Sequence, residues 1–89
     1  MMFSLDYDET FSADPDFWRK FIELARSNNH QVIMITRRFN HGDHGPITDD
    51  VLGVEIVYTA NTAKRDFCRA NGIPMPDVWI DDGPEGIIQ

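Results

Sequence analysis

Two stretches of this 89-residue chain concentrate carboxylates just after short apolar runs: Leu5-Asp6-Tyr7-Asp8-Glu9-Thr10, and Trp79-Ile80-Asp81-Asp82-Gly83. An isolated Asp-x-Asp more often caps a strand or solvates a loop. Two such acidic exits in one small chain point instead to a site. If the two runs are neighbouring strands, their ends bring four carboxylates within several Å of each other. Two unit charges 4 Å apart repel by about 4 kcal/mol at an effective dielectric of 20, so a cation is expected among them. Hard oxygen donors without thiolate favour Mg²⁺, which keeps several waters and accepts carboxylates together with a substrate phosphate. Asp6, Asp8, Asp81 and Asp82 are therefore the expected metal ligands.

Arg37-Arg38 follows the apolar run 31–36 and is suited to clamp a phosphate or carboxylate in a bidentate grip. His41 and His44 lie in the glycine-containing loop that comes next. Their His-x-x-His spacing, with one Asp and no helical presentation, lacks the usual zinc ligand set, so a substrate contact or plain solvation is expected. Trp18 and Phe21 stand at helical spacing and read as core. Tyr7 alternates with Asp6 and Asp8, so in an extended chain it faces away from them.

These residues need a scaffold that delivers strand ends to one place. Residues 2–6, 31–36, 54–58 and 77–80 read as strands. Gln31-Val-Ile-Met-Ile-Thr36 is nearly continuous in apolar and β-branched residues, as in a strand covered on both faces. Asp14-Pro15 supplies an N-cap and a first-turn proline for a helix bearing Trp18, Phe21, Ile22 and Ala25 on one stripe. A second helix is expected from about Asn61 to Asn71, stopped by Gly72, Pro74 and Pro76. The order βαβ(loop)βαβ predicts an α/β fold of three-layer, Rossmann-like form. It has a mostly parallel four-stranded sheet with helices on both faces. If the second helix crosses the opposite face, strands 1 and 4 become neighbours and their carboxyl ends flank a topological switch point, where open α/β sheets bind ligands. Residues 37–53 form a polar connection with at most one helical turn, long enough to be functional. Residues 83–89 are expected to add a short strand or to fray.

Composition narrows the partners. Fifteen acidic against eight basic side chains give a net charge of −7, which opposes binding to nucleic acid duplexes or anionic membranes. No apolar run approaches a membrane span, and the acidic start lacks the basic region of a signal peptide, so a cytoplasmic protein is expected. The single Cys68 makes no internal disulfide and reads as packing. One domain with a small core is expected, together with assembly into a homo-oligomer.

The ordered motifs resemble those of the haloacid dehalogenase-like (HAD) superfamily. Asp6-Tyr7-Asp8-Glu9-Thr10 matches its Asp-x-Asp-x-Thr motif, Thr36 its strand-ending Thr or Ser, Lys64 its helix-borne lysine, and Asp81-Asp82 its final acidic pair. The resemblance implies a Mg²⁺-dependent phosphohydrolase acting on a phosphorylated metabolite or nucleotide. Asp6 would be the nucleophile and Asp8 the acid/base. Thr36 and Lys64 would hold the phosphoryl oxygens, and Asp81 and Asp82 would complete the metal site; apart from the resemblance, Thr10, Arg37, Arg38, His41 and His44 are expected to bind the substrate. Only Phe11, Ser12 and Ala13 separate the first motif from the helix start, so this resembles a minimal member without a cap. The alternative is a binding protein of the same fold that sequesters a phosphorylated nucleotide or signalling molecule without turnover. Lys64 carries its own expectation: a cation in a first helical turn opposes the helix dipole, so something local should compensate it.

Overall fold

The computed structural model describes every residue from Met1 to Gln89. Four parallel strands, β1 (Met2–Leu5), β2 (Gln31–Thr36), β3 (Glu55–Tyr58) and β4 (Val78–Ile80), lie in the order β3-β2-β1-β4. Strands 1 and 4 are thus neighbours, and the chain reverses its direction of growth at β1. Leu5 pairs with Ile80 and Thr36 with Tyr58, so β1 and β4 end level with each other, and β2 and β3 end level two residues further on. The residues that follow are delivered to one edge of the sheet.

Each strand alternates between two cores, the physical reason for its nearly continuous apolar sequence. On one face Leu5 and Met34 pack with Phe11, Val51 and Val54 under Ile22 of α1 (Pro15–Ser27). On the other, Ile33, Ile35 and Val57 pack with Cys68 of α2 (Lys64–Ala70). Helices therefore cover both faces. Asp14 caps α1 by accepting from the Phe17 amide at 3.3 Å, and Pro15 occupies the first turn. Trp18 and Phe21 are only half-buried, because the fully enclosed stripe of α1 runs through Ile22 and Ala25.

Three local differences from the sequence expectation have visible causes. The second helix starts at Lys64 rather than Asn61, because Ala60 and Asn61 adopt positive φ (52° and 66°) in a tight turn after β3. It ends as expected: Gly72 at φ 66° lets the Ile73 amide donate back to the Cys68 carbonyl at 3.0 Å. Phe11–Ala13 forms a 3₁₀ turn that drives Phe11 wholly into the core. Residues 85–88 form a short helix, α3, in place of a strand or a frayed end. Arg37 holds its end, donating to the Gln89 carbonyl at 3.0 Å.

The 37–53 connection is irregular but anchored. Arg19 donates to the Asp50 carbonyl and Arg26 to that of Leu52, while Val51 is buried beneath α1. No helix is long and apolar enough to cross a membrane.

Candidate functional site

Asp6 follows β1 on the same side of the sheet as Ser4, the side covered by α2. Its amide donates to the Ile80 carbonyl at 2.9 Å, continuing the β1–β4 pairing one residue further and placing Asp6 beside Asp81. Lys64, the first residue of α2, is buried at 3% exposure and reaches into the gap. Its Nζ donates to Asp6 Oδ1 at 2.8 Å and to Asp81 Oδ2 at 2.5 Å. This is the local compensation that a lysine in the first helical turn requires. Breaking such a buried pair from one side typically costs about 3–5 kcal/mol, since it strands the other charge.

Asp82 stands at the exposed side of the same group. Oxygens of Asp6, Asp81 and Asp82 all lie within 4.8 Å of one another. Burial pushes the Asp6 carboxyl up to about 7; the Lys64 hydrogen bond and charge work against that rise, and the Asp82 and Asp81 carboxylates add to it. A set of three carboxylates with no thiolate or imidazole fits Mg²⁺ by donor chemistry. Thr10 Oγ1 donates to the second oxygen of Asp6 at 3.4 Å.

Asp6, Lys64, Asp81 and Asp82 line a cleft of about 220 Å³ with no hydrophobic wall, and Thr10 lies behind Asp6 outside that lining. Thr36, Lys64 and Asp6 form its buried lining, and Asp8, Glu9 and Asp82 its exposed one. Five carboxylates face two cations, Arg37 and Lys64, so the bare cleft repels a phosphate unless a cation reverses the local field. Glu9, Gly83 and Gly86 also line the cleft. Glu9 and Gly83 belong to the two acidic stretches of the sequence, whereas nothing in the sequence marks Gly86.

The other expected site residues divide. The Asp8 carboxylate lines the cleft but stands apart from the three-carboxylate group, because Arg38 takes both of its oxygens, Nε at 2.9 Å and Nη2 at 2.7 Å. Arg37 lines the cleft, yet its guanidinium is engaged by the fold. Nη1 donates to Gln89, Nη2 donates to the Asn61 carbonyl at 2.6 Å, and the buried Nε makes no hydrogen bond. Thr36 Oγ1 accepts from the Arg38 amide at 3.3 Å. His41 and His44 sit exposed in the loop outside the cleft lining; His44 contributes its main-chain carbonyl, which accepts from Arg38 Nη1 at 2.9 Å. Tyr7 turns to the α1 side as alternation requires, and its hydroxyl donates to Asp49 at 2.7 Å.

No family model, curated protein or solved structure matches this chain.

Proposed function

We propose that this protein is a Mg²⁺-dependent phosphohydrolase of HAD-like type, acting through Asp6 on a phosphorylated metabolite or nucleotide. The observation that carries this reading is the buried Asp6–Lys64–Asp81 bridge at the carboxyl ends of β1 and β4, with Asp82 beside it and Thr36 in the same cleft. A phosphoryl transition state asks mainly for positioning and cationic stabilisation; Lys64 and Thr36 are the groups for the first, while the second needs a cation to offset the carboxylates of the cleft. Bound Mg²⁺ would be held by Asp6, Asp81 and Asp82 and would supply the charge that lets a phosphate approach them. A carboxylate oxygen of Asp6 attacks phosphorus as the bond to the leaving oxygen breaks, and that oxygen takes a proton from Asp8; water then attacks the phosphorus, returns a proton to Asp8, and the bond to Asp6 breaks to release phosphate. Lys64 and Thr36 hold the non-bridging oxygens.

One observation favours a second reading, in which the cleft binds a phosphorylated ligand without turning it over. Both oxygens of Asp8, the acid/base of the phosphohydrolase reading, accept from Arg38. Mg²⁺-dependent phosphate release from a panel of phosphomonoesters and nucleotides, with Asp6→Asn alongside, separates the two. Turnover that Asp6→Asn abolishes supports the phosphohydrolase. Absence of turnover, with thermal stabilisation by one ligand class, supports the binding protein.

A further inference from the structure

The two adjacent arginines are bound in chemically different ways. Arg37 donates to Asn61 and Gln89, neutral partners that belong to the fold and leave only if α3 and the turn after β3 are dismantled. Arg38 gives its fork to a charged, exposed side chain. Its Nε and Nη2 meet the two oxygens of Asp8 side-on, the geometry in which guanidinium recognises any carboxylate or phosphate. The pair is open to solvent: the Asp8 side chain is 51% exposed and that of Arg38 28%. Exposed pairs of this kind contribute little to stability, so an external oxyanion can replace the internal one at small cost.

Arg38 itself is held still for such an exchange. Nη1 donates to the carbonyls of His44 and Gly45, the guanidinium lies 4.9 Å from the centre of the Tyr7 ring, and the Arg38 amide donates to Thr36. The loop supplying those carbonyls is tightly wound, since even a methyl group at Gly45 would collide with the carbonyls of Phe39 and His41. The fork is therefore fixed by the loop, the Tyr7 ring and the main chain, while its anion is the one replaceable partner. Asp8 also lines the cleft, so the exchange takes place at the boundary of the site that holds Thr36 and Lys64.

We propose that Arg38 is a specificity-determining residue that takes a second oxyanion of the substrate, in addition to the phosphoryl group seated at Thr36 and Lys64, in exchange for the Asp8 carboxylate. This rests on the phosphate-binding reading of the cleft. It narrows the substrate class to phosphorylated compounds with a further phosphate or carboxylate nearby. It also accounts for the carboxylate in the fork: Asp8 stands in for the substrate's anion.

The test measures binding of non-hydrolysable probes to the full chain by calorimetry at buffered free Mg²⁺. The probes are methylphosphonate, phosphonocarboxylates of increasing length and bisphosphonates of matching length. The expected result is that one doubly anionic series binds at least about tenfold more tightly than methylphosphonate, the scale of a charge-assisted bidentate contact. In the Asp8→Asn background, where no carboxylate is left unpaired at the cleft, Arg38→Ala removes that advantage and weakens methylphosphonate far less, and Arg38→Lys restores part of it. Whether the carboxylate or the bisphosphonate series gains identifies the second group. Asp8→Asn strengthens the doubly anionic probes more than Glu9→Gln does, although both remove one negative charge from the same lining. Equal weakening of every probe by Arg38→Ala, or no preference for doubly anionic probes in the native chain, overturns the assignment while leaving the phosphohydrolase reading intact. Failure of every probe to bind overturns both.

Discussion

Lys64 is the residue on which the site's electrostatics turn, because its buried ammonium bridges Asp6 and Asp81. Lys64→Met keeps the apolar stem and removes the charge, leaving two buried carboxylates facing each other and Asp82. Without metal the variant is expected to lose roughly 3 kcal/mol in urea unfolding, at the lower end for a broken buried pair. Mg²⁺ should recover more of that loss than it adds to the native chain; equal Mg²⁺ effects in both would show that no cation occupies the carboxylate group. Asp6 carries a second expectation, whose sign follows from its raised value of about 7 against an ordinary 3.8. Between those two values the folded chain binds a proton that the unfolded chain has released. Metal-free stability from this group is therefore greatest near pH 4 and falls as pH rises toward 7. Asp6→Asn cannot ionise, so its stability relative to the native chain should climb across that window. Unfolding midpoints for both proteins from pH 5 to 8 measure it, and a flat difference would mean that Asp6 titrates normally in the fold.

At the scale of elements, the loop after β2 is held by contacts that a single added methyl would break. Gly45→Ala is expected to push the Phe39 and His41 carbonyls away, loosening the His44 and Gly45 carbonyls from Arg38. A destabilisation of about 1–3 kcal/mol is the usual scale for such a collision, and the Tyr7–Asp49 contact should become more mobile in NMR relaxation. An unchanged melting temperature would show that the loop does not depend on its winding.

The elements themselves were unevenly legible. β2 could be read residue by residue because burial on both faces demands an unbroken apolar run, and α1 because Asp14-Pro15 marks its start and Ile22 and Ala25 its buried stripe. The exchange of Asn61 for Lys64 as the start of α2 was hidden, since positive φ at an alanine and an asparagine leaves no mark in sequence. The same holds for α3, which depends on Arg37, fifty-two positions before Gln89. Asp6 and Asp81 were legible because acidic strand ends are local signals, whereas Lys64 came into view only through the ordered motifs of the resemblance. The grip of Arg38 on Asp8 spans 30 positions and follows only from the strand order.

For the whole molecule, a net charge of −7 on 89 residues means that any salt relieves self-repulsion, so a rise in melting temperature with added cation does not by itself identify a site. Matching ionic strength separates the two effects, because screening responds to ionic strength whereas binding responds to Mg²⁺ itself. At a hundredfold excess over its dissociation constant a ligand stabilises the folded chain by about 2.7 kcal/mol. In a domain of this size that corresponds to a shift of roughly 10 °C or more. MgCl₂ should therefore raise the melting temperature well beyond NaCl of equal ionic strength. Asp82→Asn removes one exposed member of the carboxylate group without disturbing the Lys64 bridge, so it should erase most of the Mg²⁺-specific part and keep the response to NaCl. Glu9→Gln removes the same charge from the same cleft but lies outside that group, and should leave the Mg²⁺-specific part in place. If the two variants respond alike, Mg²⁺ acts on this protein only through its overall charge.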